Sequence, residues 1–227
     1  MMRSLFQGSL PSLVLFDLDG TLIDSVPDLA LAVDQMLKAL DRESVGELAV
    51  RGWVGNGAQM LVQRALTGDM EPDPETLDTE LFERAFSLFL DCYEACSAEK
   101  SELYAGVREY LDWLQSQGVT MGLVTNKPIR FTEPLLQTFA LDHYFAVVLG
   151  GDSLPQKKPD PMPLHYAMEK LSSTPQQTLM VGDSRSDIHA AQAAGCPVVA
   201  VSYGYNHGEP VANYQPDLIV DNLQQLV

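Results

Sequence analysis

The chain has 227 residues, enough to bury a sizeable core as one domain or as two small ones. Its 46% hydrophobic content is that of a globular protein, and its formal net charge of -17 argues against nucleic acid or an anionic membrane as a partner, since both need a basic face. No apolar run is long enough for a bilayer and the segment Met1 to Pro11 lacks a signal-peptide core, so a cytoplasmic location is expected.

The first element is the apolar run Val14-Leu15-Phe16, which reads as a buried strand and stops abruptly at Asp17-Leu18-Asp19-Gly20-Thr21. After Ser25 the pattern becomes helical. Pro27-Asp28 opens a helix with apolar residues at Leu29, Val33, Met36, Leu37 and Leu40, and a second helix follows Gly55-Asn56-Gly57 through Leu66. An acidic, proline-containing connector runs from Asp69 to Pro74, and a third helix from about Thr76 to Cys96. No strand signal is visible between Asp24 and Val119, so this block reads as a helical insertion. Cys92 and Cys96, one helical turn apart in an apolar stretch, and the separate Cys196 form no even disulfide framework and are expected as reduced thiols.

From Tyr104 strands and helices alternate. A helix from Val107 to Gln117 stops at Gly118, a strand from Val119 to Val124 runs into Thr125-Asn126-Lys127-Pro128, and a helix around Pro134 to Phe139 precedes a strand from Ala146 to Leu149. A helix from about Pro163 to Leu171 leads to Leu179-Met180-Val181, which ends in Gly182-Asp183-Ser184-Arg185-Ser186-Asp187. An alanine-rich helix stopped at Gly195 and strands at Pro197 to Val201 and Leu218 to Val220 complete the chain. Such alternation implies an α/β fold with a parallel, doubly wound sheet.

Ligands bind such sheets at the carboxyl ends of the strands, and four strand ends here carry complementary polar residues: Asp17 and Asp19; Thr125 and Asn126; Lys158; and Asp183 with Asp187. Singly, each has a plainer reading as a turn or a helix cap. Together they supply what phosphoryl transfer needs, namely Mg²⁺ ligands, positive charge for nonbridging oxygens, and a nucleophile held in line. Asp17 and Asp19 face the same way on an extended backbone, and such a pair is costly unless a cation or a proton separates the charges. With Mg²⁺ present, Asp17 would attack phosphorus, while Asp19 would protonate the leaving oxygen and later deprotonate water.

The motifs DLDGTLIDS, VTN, KKPDP and GDSRSD resemble those of the haloacid dehalogenase superfamily of phosphatases, and the resemblance covers nearly the whole chain. It implies a Rossmann-like core (residues 1–26 and 98–227) with an inserted four-helix cap (27–97). It also implies phosphorylation of Asp17, and Mg²⁺ held by the Asp17 and Asp183 carboxylates and the Asp19 main-chain carbonyl. Thr125 and Lys158, with Asn126 beside them, would bind the phosphoryl group, and Asp187 would support the metal-bound waters. Within the cap, Arg51-Gly52-Trp53-Val54-Gly55-Asn56-Gly57-Ala58 is similar to the W-[VI]-G-N-G-A segment of bacterial phosphoglycolate phosphatases. Gly55, Asn56 and Gly57 are thereby expected as a substrate loop. In a chain this acidic, a substrate carboxylate needs a cap donor or oriented backbone N–H groups, for which Arg51 and this turn are the candidates; the alternative for Arg51 is to pin the cap to its own acidic surface.

The expected activity is thus hydrolysis of a small phosphomonoester, phosphoglycolate above others. A phosphatase of another small phosphomonoester, such as a sugar or amino-sugar phosphate, and a sugar phosphomutase share the core motifs and stand as the alternatives. A signalling receiver module would need neither Asp19 nor a cap. Whether the chain is a monomer or a dimer is not written in these motifs.

Overall fold

The computed structural model describes residues 1–73 and 75–227; Pro74, the last residue of the expected acidic connector, lies outside the described residues. The chain order begins β1 (Leu13–Phe16), β2 (Ile23–Asp24), α1 (Val26–Ala39), α2 (Gly46–Trp53), α3 (Ala58–Thr67), α4 (Thr79–Cys96) and β3 (Glu102–Leu103). It continues with α5 (Val107–Ser116), β4 (Thr120–Val124), α6 (Ile129–Thr138), β5 (Val147–Leu149), α7 (Met162–Lys170), β6 (Thr178–Gly182), α8 (Arg185–Ala194), β7 (Val198–Val201) and β8 (Leu218–Val220).

Six strands form one parallel sheet in the order β5-β4-β1-β6-β7-β8. β1 is central and covered on both faces, which is why Leu13-Val14-Leu15-Phe16 is apolar at every position rather than alternating. Phe16 packs edge-on against Tyr110 of α5 and Phe145; burying such a ring is worth roughly 1.5–3 kcal/mol. From β1 the chain moves to β4 and β5 on one side and to β6, β7 and β8 on the other. The crevice at this reversal is where the polar loops after β1, β4 and β6 meet.

Helices α1 to α4 form the inserted cap, with α1 packed mainly against α4 and α2. Their shared core includes Val33, Met36, Val62 and Phe89 and runs on into Phe131 of α6 and Tyr205, so the cap is seated on the sheet domain. The two crossings between cap and core are tied together. β2 pairs antiparallel with β3, and the buried Asp28 carboxylate accepts hydrogen bonds from Lys100 N at 2.8 Å, Ser101 N at 3.0 Å and the Ser101 hydroxyl. Among the described residues no helix is long and apolar enough to cross a membrane.

Four expectations from sequence are corrected here. Residues 46–53 form a helix that periodicity did not reveal, because Gly46-Glu47-Leu48-Ala49-Val50-Arg51-Gly52-Trp53 is short and has glycines near both ends. The segment 24–119 does contain strand, but β3 has two residues and its partner β2 two, too few for alternation to show. α6 starts five residues before Pro134, which sits inside it rather than opening it. The helix expected from Thr76 begins at Thr79, where Asp78 caps it by accepting from Glu80 N and Leu81 N. All three cysteines are free, as expected.

Candidate active site

Asp17 immediately follows β1, Thr125 follows β4 and Asp183 follows β6, so the pairing of β1 with both neighbours sets these three residues side by side. Asp17, Asp183 and Asp187 each offer a carboxylate oxygen within 4.8 Å of the others, and all three are buried. Asp183 is tightly walled. Its oxygens accept from the Thr21 hydroxyl at 2.8 Å and from Tyr205 N at 2.8 Å, and a Cβ added at Gly204 would lie 2.1 Å from its own Cβ. Asp187 sits at the N3 position of α8, where its carboxylate returns to Ser184 N at 3.0 Å as in a capping box, and its other oxygen accepts from Lys158 Nζ at 2.7 Å. One side chain thus starts a helix and anchors the site lysine.

Lys158 also pairs with Asp17 at 2.9 Å. Burial alone would pull this lysine down, yet Asp17 and Asp187 hold it above its ordinary value, so it stays charged. Asp17 goes the other way: burial, with Asp187 and Asp19 adding repulsion, pushes its carboxyl up to about 6 in spite of Lys158. Asp183 is raised well above the usual carboxylate range, first by burial and then by Asp187 and Asp17. Three crowded acids against one lysine leave excess negative charge, and hard oxygen donors of this kind suit a small divalent cation. The donor set therefore fits the metal site that the motifs imply.

Asp19 belongs to a different neighbourhood. Its carboxylate accepts from the Ser25 hydroxyl at 2.5 Å and from Lys127 Nζ at 3.2 Å to each oxygen, and Lys127 Nζ also contacts the Tyr93 hydroxyl at 2.6 Å. Burial would lower Lys127, but the Asp19 charge and Tyr93 keep it above its ordinary value. The cavity between cap and core brings Asp17, Asp19, Thr125 and Lys127 against apolar cap residues including Leu29, Val54, Leu61 and Phe89. Such a lining excludes water and strengthens the charges it encloses.

The remaining expected residues separate into two groups. Asn126 and the Gly55-Asn56-Gly57 loop are together: Asn126 Nδ2 donates to Gly55 O at 3.3 Å and to Lys158 O at 2.9 Å, and Lys157 Nζ donates to Asn56 O at 2.9 Å. Gly57 has φ +92, a backbone conformation that other side chains rarely adopt, so the loop needs glycine there. Arg51 is elsewhere. It lies in the last turn of α2, paired with Asp24 at 3.1 Å and Glu47 at 2.8 Å and stacked over Tyr205, so it does not line the cavity and instead holds α2 to the hinge.

Sequence reasoning counts Lys127 only among the basic residues gathered after the strands, and assigns neither Tyr93 nor Ser25 to the site. A lysine directly after the strand-end pair Thr125-Asn126 was an available signal. Tyr93, on the inward face of α4 and stacked on Phe89, carries no local mark that separates it from ordinary core.

With this geometry in place, comparisons with known proteins are informative. The family described as haloacid dehalogenase-like hydrolase matches residues 14–201. A protein of Pseudomonas putida named phosphoglycolate phosphatase is 55% identical over 99% of this chain and 82% of its own length. One of the same name from Pseudomonas fluorescens is 56% identical with the same coverage. The crystal structure of a predicted phosphoglycolate phosphatase from Haemophilus somnus superposes with a TM-score of 0.90 at 41% identity, covering 96% of this chain and 97% of that one.

Proposed function

The chain belongs to the haloacid dehalogenase-like hydrolases, and from that premise we propose that it is a Mg²⁺-dependent phosphatase acting on 2-phosphoglycolate, releasing glycolate and inorganic phosphate. The observation that carries this reading is the separation of two carboxylates only two residues apart: Asp17 in the acidic cluster with Lys158, Asp19 facing the cap cavity with Lys127. In this reading the cap is residues 27–97, carried by core segments 1–26 and 98–227. The relatives named for phosphoglycolate support the choice of substrate.

An Asp17 oxygen attacks phosphorus, the bond from phosphorus to the ester oxygen breaks, and the departing oxygen takes a proton from the Asp19 carboxyl. Water then attacks the aspartyl-phosphate, giving its proton back to Asp19 and restoring the Asp17 carboxylate. Lys158 and Thr125 meet the nonbridging oxygens, and Lys158, pinned by Asp187, needs no reorganisation to do so. Mg²⁺, when bound by Asp17, Asp183 and the Asp19 main-chain carbonyl, supplies further neutralisation of phosphoryl charge. Ser25 and Lys127 orient the Asp19 carboxyl toward the leaving oxygen. The cap keeps bulk water from the acyl phosphate.

The test is kcat/KM over phosphoglycolate, hexose phosphates, an amino-sugar phosphate and pyrophosphate. Phosphoglycolate should lead by at least about tenfold, the scale of one added charge-assisted contact. A hexose phosphate in first place, or a phosphoryl group moved between sugar hydroxyls without release of phosphate, would overturn the reading.

A further inference from the structure

Phosphoglycolate carries a carboxylate whose carbon is two bonds from the leaving oxygen, and a protein this acidic must meet that second anion with a positive group. Arg51 is paired with Asp24 and Glu47 outside the cavity, and Lys158, beside Asp17 and Asp187, is taken up by the phosphoryl group. Among the described residues that line the cavity, Lys127 bears the one positive side chain. It is 5% exposed, and its Nζ lies 4.6 Å from the centre of the Tyr93 ring while contacting the Tyr93 hydroxyl.

The pairing of Lys127 with Asp19 is loose. Nζ is 3.2 Å from both carboxylate oxygens, longer than the roughly 2.7–2.9 Å of a well-directed charge-assisted bond. An ammonium has three protons, so it can serve Asp19, Tyr93 and a further anion at once. Because Asp19 must stand next to the leaving oxygen to protonate it, a cation touching Asp19 is within reach of a carboxylate attached to the carbon that oxygen leaves with. The cap wall beyond, Leu29, Val54 and Leu61, brings no charged side chain into the cavity.

We propose that Lys127, backed by Tyr93, binds the carboxylate of the departing alcohol, so that this cavity selects phosphomonoesters of 2-hydroxy acids over those of neutral alcohols. This deepens the phosphoglycolate reading and rests on it. Recognition of the leaving group and delivery of its proton then share one group, the Lys127 ammonium, which touches Asp19 and the arriving carboxylate together.

The experiment compares kcat/KM for 2-phosphoglycolate with that for 2-hydroxyethyl phosphate, in which a hydroxymethyl group replaces the carboxylate. Lys127→Met should lower the ratio of the two by roughly 10-fold to 100-fold, and Tyr93→Phe should lower it in the same direction by less. Equal losses on both substrates would overturn the proposal and leave Lys127 as a positioning residue for Asp19 alone. Glycolate and ethylene glycol, compared as inhibitors of 2-hydroxyethyl phosphate hydrolysis, give a reading in the unmodified protein. Glycolate should inhibit at least about tenfold more strongly, and equal inhibition would also overturn the proposal, even if Lys127→Met failed to fold. A wild-type preference ratio near one identifies the other failure, that of the phosphoglycolate reading itself.

Discussion

Replacing Asp17 by asparagine keeps the side-chain shape while removing the nucleophile and one charge from the cluster with Asp183 and Asp187. Turnover of phosphoglycolate should fall on the order of 10³-fold or more, as when one member of a catalytic unit is removed. A variant keeping more than about a tenth of wild-type kcat would exclude a covalent Asp17 intermediate. Asp19→Asn should lose proton transfer while leaving the main chain in place. With p-nitrophenyl phosphate, whose leaving group scarcely needs a proton, single-turnover phosphorylation should be partly rescued and release of phosphate should become limiting. An equal defect for good and poor leaving groups would remove Asp19 as the acid. Both residues could be read directly from the sequence, because each is fixed by its distance from the end of one apolar strand. Arg51 could not be placed that way, since its partners Asp24 and Glu47 come from the hinge strand and its own helical turn.

At the scale of elements, the hinge is the part least visible in sequence and the most specifically built. β2 and β3 are only two residues long each, and what further joins the crossings is Asp28, whose three hydrogen-bond donors come from residues 72 and 73 positions later. A single carboxylate at the start of a helix reads locally as a favourable partner for the helix dipole, so nothing nearby announces the longer link. Asp28→Ala should leave Lys100 N and Ser101 N without their acceptor and cost about 2–4 kcal/mol in urea unfolding. A loss below about 1 kcal/mol would show that the crossings hold without it. Arg51→Ala, by contrast, breaks partly exposed pairs worth little each. It should alter kcat/KM for phosphoglycolate and for p-nitrophenyl phosphate by the same factor; a loss confined to phosphoglycolate would return Arg51 to the substrate site. The six sheet strands were legible because each is a compact apolar run, whereas α2 was hidden by its two glycines and shortness.

Across the whole molecule, the acids that serve the site work against the fold. Asp17 titrates in an unfolded chain near 4 and here at about 6, and Asp183 is raised as well, chiefly by burial in both cases. A carboxyl whose folded value is raised binds its proton more tightly in the native state. Its contribution to stability is therefore fully present below the unfolded value and is lost as pH climbs through the folded one. The metal-free protein should accordingly melt at a lower temperature at pH 8 than at pH 5 on account of these two groups. Mg²⁺ binds the ionised carboxylates and competes with their protons, so saturating Mg²⁺ should raise the melting temperature more at pH 8 than at pH 5. Asp183→Asn supplies the internal control: by removing one of three crowded charges it should raise the metal-free melting temperature at pH 8 and abolish most of the Mg²⁺ increment, together with activity. Differential scanning calorimetry of both proteins, with Mg²⁺ and with EDTA at the two pH values, reads all of these at once. An increment independent of pH, or an Asp183→Asn protein that melts lower than wild type in EDTA at pH 8, would mean that the buried acids are satisfied without a cation and that the metal assignment is wrong.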